Sequence, residues 1–203
     1  MINKPLIKPH GGTLISRDLQ GYERQTAFED AHALPRLMLS ERNLADLECI
    51  ATGIYSPLTG FVGEEDYDSI VSSMRLRSGV AWSIPVTLQV PEAKAAKYRL
   101  DNEIALTHPG GAILAVMTVT SKFKPDQHRE AQRVYATDDA EHPGVMAMRE
   151  GGDLYLGGPV VLVGELVHDD FNSYRLTPAE TRAEFTKRQW NAIVAFQTRN
   201  PIH

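Results

Sequence analysis

The spacing of apolar positions predicts two amphipathic helices in the first third of the chain. Over residues 40–53 the apolar side chains recur on one helical face, with Ser40 suited to be the N-cap and Gly53 the stop. Over residues 64–74 a second apolar stripe follows the same period. The side chains expected to be buried are Leu44, Leu47 and Ile50 in the first helix and Tyr67, Ile70, Val71 and Met74 in the second.

Short apolar stretches punctuated by glycine and proline predict strands in the middle of the chain. Residues 80–90 are strand-like, with Pro85 at an edge or a bulge. Residues 103–123 predict two strands around the turn at 109–111, and residues 155–167 predict another strand. Short helices are expected over 125–136 and 141–151. The fold class is therefore α+β: a small mixed β-barrel with helical decorations.

The pattern changes near residue 170, where a polar connector precedes a strong helix start. Thr177 is a suitable cap, Pro178 fits the first helical position and Glu180 completes a capping box. The continuous apolar run at 192–196 predicts a strand buried on both faces. A helix followed by such a strand is the opening of an α/β domain. We therefore expect one domain over 1–170 and the start of a second over 171–203.

Composition is that of a globular protein, with 42% hydrophobic and 23% charged residues. No apolar run approaches the roughly 20 residues of a membrane helix, so no membrane partner is expected. The single cysteine, Cys49, has no internal partner for a disulfide, which favours a cytoplasmic location. Histidine, cysteine and carboxylate residues show no metal-binding spacing, so no protein-bound metal is expected.

Charge is unevenly distributed along the chain. Residues 171–203 carry five basic and two acidic side chains, a net charge of +3. Because the whole chain has a net charge of −5, the other 170 residues sum to −8. An acidic body argues against nucleic acid as a partner, because phosphate contacts supply most non-specific affinity. The basic end suits a smaller anion. A solvated helix with chance charge explains the same count, and charge alone does not separate the two.

The last residues, QTRNPIH, have the pattern of an anion site. At the end of a strand, Gln197 and Arg199 point to one side and Thr198 to the other. Open α/β sheets bind ligands beyond the carboxyl ends of their strands. The planar guanidinium of Arg199 suits oxyanions.

A helix start follows directly. Asn200 precedes a proline, which favours extended geometry and an N-cap role, and His203 then falls in the first turn. Helix N-termini present free N–H groups to anions. Each residue taken singly also fits an ordinary surface or helix start. Their combination behind a buried strand favours an oxyanion or phosphate site.

These residues resemble the motif of the sulfate adenylyltransferase (ATP sulfurylase) family, in which the pattern continues to a second histidine, as H-x-x-H. The similarity covers nearly the whole chain, and several unrelated segments agree in order. The segments similar to the N-terminal region of the family are PHGGTL (9–14), GIYSPLTGFVGEEDY (53–67), MRLRSGVAWSIPVTL (74–88), DDAEHPGV (138–145) and YLGGPVVL (155–162).

The resemblance implies a PUA-like barrel followed by the start, helix plus strand, of a Rossmann-like nucleotidyltransferase domain. It implies ATP and sulfate as substrates, Mg²⁺ arriving with ATP, and a homo-oligomer in the complete protein. Gln197 and Arg199 would bind sulfate, and Thr198, Arg199 and Asn200 would form the catalytic stretch. The ATP-binding residues would be Gln197, Arg199, Asn200 and His203.

The chain lacks the second histidine and the family's later nucleotide-binding segments, so the resemblance implies an inactive N-terminal fragment of an active enzyme. The alternative function is a stand-alone PUA-like module that binds a partner or mediates assembly without catalysis. The −8 charge of residues 1–170 argues against RNA as that partner. No alternation of aromatic and basic residues supports it either.

The change of pattern predicts where the first domain ends. We expect limited proteolysis to release a stable core that ends at about residues 168–176, because exposed polar connectors are preferred cleavage sites. Mass spectrometry of the fragments checks this. Preferred cleavage within about residues 80–120 would contradict the two-domain organisation.

Overall fold

A computed structural model of the chain describes residues 6–190 and 192–198. None of the helices in these ranges is both long and apolar enough to cross a bilayer. The helices are α1 (Gly21–Asp30), α2 (Glu41–Thr52), α3 (Glu64–Ser73), α4 (Glu92–Ala95), α5 (Gln127–Glu130), α6 (Pro143–Glu150) and α7 (Pro178–Lys187). The strands are β1 (Arg36–Met38), β2 (Gly60–Phe61), β3 (Leu88–Val90), β4 (Glu103–Thr107), β5 (Ile113–Thr118), β6 (Ser121–Phe123) and β7 (Leu154–Leu162).

Strand β7 is the axis of the sheet. Its first half pairs with β3 and β6, and its second half pairs with β2 and β5. All four pairings are antiparallel. The sheet continues from β5 to β4 and then to β1, which is parallel to β4. One nine-residue strand therefore connects two groups of strands, which curls the sheet as predicted for a small barrel.

The change of partners along β7 occurs at Gly157 and Gly158, in the YLGGP segment. A Cβ on Gly158 would lie 1.9 Å from the Thr118 carbonyl oxygen, and one on Gly157 would lie 2.5 Å from the Gly63 Cα. Both distances are far below van der Waals contact. The glycine pair is thus required because neighbouring backbone approaches β7 here, where a strand glycine marks a bend.

The main core lies between the curled sheet and helices α2 and α3. It includes Leu47 and Ile50 from α2 and Tyr67, Ile70 and Val71 from α3, all of them buried. These are residues of the two stripes that the sequence predicts. A smaller cluster beneath α1 is formed by Ala31, Ala105, Ile113, Val116 and Val163.

The termini of the two predicted helices follow local chemistry. The Ser40 hydroxyl accepts the Asn43 N–H at 3.2 Å, and Gly53 ends α2 with a φ of 91°. The predicted burial of Met74 is wrong, because this residue is 59% exposed. Met74 ends α3 in the left-handed region, with a φ of 55°, and that turn takes its side chain out of the apolar stripe.

The strand predicted over 80–90 is shorter than expected, since only Leu88–Val90 forms a strand. Pro85 has no N–H for a ladder. The preceding loop is instead held by single hydrogen bonds, among them one from the Trp82 N–H to the Met74 carbonyl oxygen, just after α3, and one from the Val62 N–H, just after β2, to the Val86 carbonyl oxygen. The hairpin predicted around 109–111 is confirmed as β4 and β5, but residues 121–123 of the same range form a third strand, β6. The helix predicted over 125–136 is confirmed as α5 followed by a π-helical turn at Ala131–Tyr135, and the helix predicted over 141–151 is confirmed as α6.

A buried carboxyl joins α5 to the barrel. The hydroxyls of Tyr67 and Tyr155 both donate to Glu130 Oε2, each at 2.9 Å, and Glu130 is only 3% exposed. Burial raises the pKa of Glu130, and the two tyrosine hydrogen bonds and the charge of Arg42 offset only part of that rise. Burial, together with the Glu130 carboxyl, also raises the pKa of both tyrosines.

The raised pKa of Glu130 predicts a pH-dependent cost to stability. Below the ordinary glutamate pKa of about 4.3 the carboxyl is neutral in both the folded and the unfolded states. As pH rises above that value the unfolded chain releases its proton while the folded chain retains it. The wild-type protein therefore loses stability until the folded pKa is passed, by about 1.4 kcal/mol for each unit of difference.

Glu130→Gln removes this loss and keeps a hydrogen-bond acceptor for the tyrosines. We expect the free energy of unfolding of wild type, relative to the variant, to fall as pH rises from about 4 towards 7. Denaturant titrations across this range measure the difference. Glu103→Gln, at an exposed strand position, is the matched control, and the difference for Glu130→Gln should change with pH by more than the difference for Glu103→Gln. An equal change for both variants would contradict the raised pKa.

Candidate functional site

Helix α7 begins with the capping box that the sequence predicts. The Thr177 Oγ1 accepts the Glu180 N–H at 3.3 Å, and the Thr177 N–H donates to Glu180 Oε2 at 2.8 Å. Hydrogen bonds from Thr177 lower the pKa of Glu180. The helix start is therefore determined by residues 177–180 themselves and does not depend on a neighbouring element.

The end of α7 is held by contacts among its own residues. The Arg188 Nε lies 2.7 Å from Glu184 Oε1, and the Arg188 guanidinium is 5.1 Å from the centre of the Trp190 ring. The Phe185 and Trp190 rings stack with centroids 5.9 Å apart. The contacts join residues on both sides of Gln189, which has a φ of 57° and so ends the helical course of the backbone.

A hydrogen bond connects α7 to the N-terminal segment across 175 positions of sequence. The Arg182 Nη2 donates to the Ile7 carbonyl oxygen at 2.6 Å. Beside this bond is an open cavity of about 430 Å³ between α7 and the PHGGTL segment. Its lining includes Pro9, His10 and Leu14 on one side and Leu176, Pro178 and Arg182 on the other. Helix α7 is thus placed against the N-terminal part of the chain.

The PHGGTL segment contacts two other segments that resemble the N-terminal region of the family, at 53–67 and 74–88. The His10 ring is hydrogen-bonded through Nε2 to the Ala81 carbonyl oxygen at 2.8 Å, and its centroid lies 6.1 Å from that of Trp82. Trp82 in turn meets Tyr55 edge to face at 5.7 Å. Three segments that are distant in sequence therefore meet next to the cavity beside α7.

The strand predicted over 192–196 is wrong for this structure. Residues 192–198 have no regular secondary structure, and the side chains of Val194 and Phe196 are 92% and 77% exposed. A central strand needs neighbours for its N–H and C=O groups and cover for both faces. The strands in the described part of the chain pair with one another in the barrel, and none of them pairs with this segment.

The predicted site residues are only partly placed. Gln197 and Thr198 lie at the end of the irregular segment and are exposed. Arg199, Asn200 and His203 lie outside the described residues. The structure therefore places two of the five side chains, next to each other on the surface, and their assembly into one site stays a prediction.

Two polar groups of the barrel lie outside the sequence predictions. Glu130 is in a segment predicted only as a helix, and Asp46 lies on the largely buried side of α2. Burial raises the pKa of Asp46, while the nearby Arg42 and a hydrogen bond from Tyr55 lower it. An acidic residue on the apolar face of a predicted helix is the sequence signal that could have indicated such buried carboxyl groups. Among the described residues, no group of three His, Cys, Asp or Glu side chains is placed to hold a metal.

Comparison with known proteins finds two family profiles in succession along the chain. The family described as PUA-like domain matches residues 7–165, and the family described as ATP-sulfurylase matches residues 172–203. The second match contains the whole QTRNPIH segment. The two matches meet at the connector before α7.

Relatives give the same assignment. A sulfate adenylyltransferase of Symbiobacterium thermophilum is 52% identical over 197 residues, which are 97% of this chain and 50% of the relative. A sulfate adenylyltransferase of Synechococcus is 47% identical over the same shares. The chain thus spans about half the length of these curated relatives.

A solved structure is also similar. The hexameric APS kinase from Thiobacillus denitrificans superposes with a TM-score of 0.76 at 32% sequence identity. The match covers 98% of this chain and 35% of that one. The similarity therefore extends across both the barrel and α7.

The irregular segment predicts fast hydrogen exchange. We expect the amides of residues 192–197 to exchange much faster than those of β4 and β5, because strand hydrogen bonds protect an amide and this segment lies outside every helix and strand. Exchange followed by mass spectrometry at low protein concentration measures this. Slow exchange that does not depend on concentration would contradict it and show that the segment is paired within one molecule.

Proposed function

Because the chain belongs to the PUA-like domain family and, over nearly its whole length, to the sulfate adenylyltransferases, we propose that the complete protein joins ATP and sulfate. The products would be adenosine 5'-phosphosulfate and pyrophosphate. The observation that carries the proposal is the succession of the two family matches in one chain, with the QTRNPIH segment inside the second. The chain spans half of its relatives, so we assign turnover to the complete protein and none to these 203 residues alone.

The residue types fit the anions that this reaction brings together. Gln197 and Arg199 would hold sulfate, and Arg199 would also lie near the α-phosphate of ATP. Thr198, Arg199 and Asn200 would form the catalytic stretch. The ATP-binding residues would be Gln197, Arg199, Asn200 and His203, with His203 at the helix start, where N–H groups and the helix dipole favour phosphate.

Electrostatic repulsion is the main obstacle to the reaction. Two unit negative charges at 4 Å repel by about 4 kcal/mol at an effective dielectric near 20. A guanidinium between sulfate and the α-phosphate offsets this repulsion and donates hydrogen bonds to both anions. Arg199 is thus the residue on which the proposed rate depends most.

The proposed reaction is a direct displacement. A sulfate oxygen forms a bond to the α-phosphorus while the bond from that phosphorus to the bridging oxygen breaks, and pyrophosphate leaves with the bonding electrons. No proton has to move in this step. Catalysis then comes from positioning and from stabilising developing charge. Mg²⁺ would arrive with ATP as part of the substrate, so we assign no residue of this chain to it.

The proposed organisation places the domain boundary between residues 170 and 171, ahead of α7. The contact of Arg182 with the Ile7 carbonyl would then cross this boundary and orient the helix that leads to the site. We further propose that the complete protein is a cytoplasmic homo-oligomer. The similar structure from Thiobacillus denitrificans, described as hexameric, supports the oligomer.

A chimera tests the proposed activity. In it, this chain is followed by the part of the Symbiobacterium thermophilum relative that the chain does not cover. We expect sulfate-dependent pyrophosphate release from ATP and Mg²⁺ by the chimera and none by the 203-residue chain. Arg199→Ala should lower turnover by roughly 100- to 1,000-fold, as expected for loss of a donor to developing charge.

The control variants separate charge, geometry and folding. Arg199→Lys should not restore the rate, because lysine keeps the charge but loses the planar pair of donors. Arg133→Ala, at an exposed barrel position, should leave the rate within about twofold of the parent chimera, because surface substitutions usually have small effects. Turnover by the chain alone, or near-parental rates in Arg199→Lys, would count against the proposal. Thermal unfolding of each variant shows whether a lost rate reflects a lost fold.

A further inference from the structure

A groove on the barrel, remote in sequence from the QTRNPIH segment, collects positive charge. It has a volume of about 720 Å³ and runs between β1, the start of α2, β3, α4 and the end of α6. Four basic residues line it: Arg36, Arg42, Lys94 and Lys97, of which Arg36 also borders a second cavity beneath α1. Two acidic side chains, Glu41 and Glu150, also line it. The groove is therefore net positive, although residues 1–170 sum to −8.

Most of these cations lack an acidic partner. Within residues 6–190 and 192–198, no carboxylate lies within 4.0 Å of the charged groups of Arg36, Lys94 or Lys97. Arg42 has a loose partner, with its Nε 4.0 Å from Asp46 Oδ2. Uncompensated cations in one concave site raise the local concentration of anions.

The edge of β1 that does not pair with β4 contributes backbone N–H and C=O groups to the same groove. The Pro35 carbonyl oxygen and the Leu39 N–H are hydrogen-bonded to β4. Because the backbone groups of successive residues in a strand point to opposite edges, the N–H and C=O of Met38 point away from β4, towards the groove. On that outer edge, the Arg36 carbonyl already accepts hydrogen bonds from Lys97 Nζ at 3.2 Å and from the Tyr98 hydroxyl at 3.0 Å. Lys97 is thereby held at the groove wall, while the part of the chain that the structure describes offers the Lys94 ammonium no acidic partner.

The shape and lining favour a compact ligand over a polymer. A volume of this order is that of a small-molecule site. Tyr98, the aromatic residue of the lining, is 1% exposed and has its hydroxyl engaged, so it offers no face on which a base could stack. The net charge of −8 on residues 1–170 disfavours a long polyanion, which would extend beyond the groove. A small, multiply charged anion without an aromatic ring fits the volume, needs no stacking partner and is too short to reach beyond the groove.

We propose that this groove binds a compact oxyanion of several charges, of the di- or triphosphate class, through Arg36, Lys94, Lys97 and Arg42. The four residues are different from those at 197–203 that we assign to the proposed substrate site. Binding would depend on the number of ligand charges, and it would weaken with salt because the groove is open to solvent.

Calorimetric titration of the 203-residue chain with inorganic tripolyphosphate, pyrophosphate and orthophosphate tests the proposal. We expect affinity to rise with ligand charge. The double variant Arg36→Gln/Lys94→Gln should weaken tripolyphosphate binding by roughly tenfold or more, as expected for loss of two charged contacts. The matched control Lys124→Gln/Arg133→Gln removes the same charge outside the groove and should stay within about twofold.

A third variant separates this site from the proposed substrate site. Arg199→Gln removes the arginine that the proposed function assigns to phosphate, and the loss of tripolyphosphate binding caused by the groove variant should be the same in this background as in the wild-type chain. Loss of binding in Arg199→Gln with retention in the groove variant would overturn the groove proposal and leave the proposed function standing. Absence of binding by the wild-type chain, or equal loss in the control pair, would also overturn it. So would tighter binding of a single-stranded RNA that the groove variant abolishes, because the ligand would then be a polymer.

Discussion

The pairing of β7 with four strands is the constraint on which the rest of the barrel depends. Its first half is bonded to β3 and β6 and its second half to β2 and β5. The change of partners is possible because Gly157 and Gly158 leave room for the backbones of Gly63 and Thr118. The curled sheet then presents one face to α2 and α3, where their apolar stripes are buried.

The barrel and the segment that follows it are stabilised by different kinds of interaction. The barrel buries long-range apolar contacts and the Glu130 carboxyl with its two tyrosines. Helix α7 is held mostly by local contacts, namely its capping box and the Arg188–Trp190 contact, with Arg182 as its bond to the N-terminal segment. Residues 192–197 lie outside every helix and strand, and the side chains of Val194 and Phe196 stay exposed.

Charge is arranged for anions in an otherwise acidic protein. The end of the chain is basic and contains the residues that we assign to sulfate and ATP, and the barrel groove at Arg36 and Lys94 is a second positive region. In both regions arginine is suited to oxyanions because its donors are planar and permanently charged. The remaining residues of the chain carry a net negative charge, which favours compact anions at these two places over long polyanions.

Local chemistry let the sequence by itself determine α2, the β4–β5 hairpin and the start of α7, since caps and turns depend on residues a few positions apart. The sequence by itself also indicated the family, because the family's motifs, including QTRNPIH, can be found directly in the chain. Tertiary structure decided what depends on distant partners: the four pairings of β7, the burial of Glu130, the exposure of Met74 and the short β3. It also decided that residues 192–198 form no strand. An apolar run becomes a strand only where another edge is available, and that condition cannot be read from the run itself.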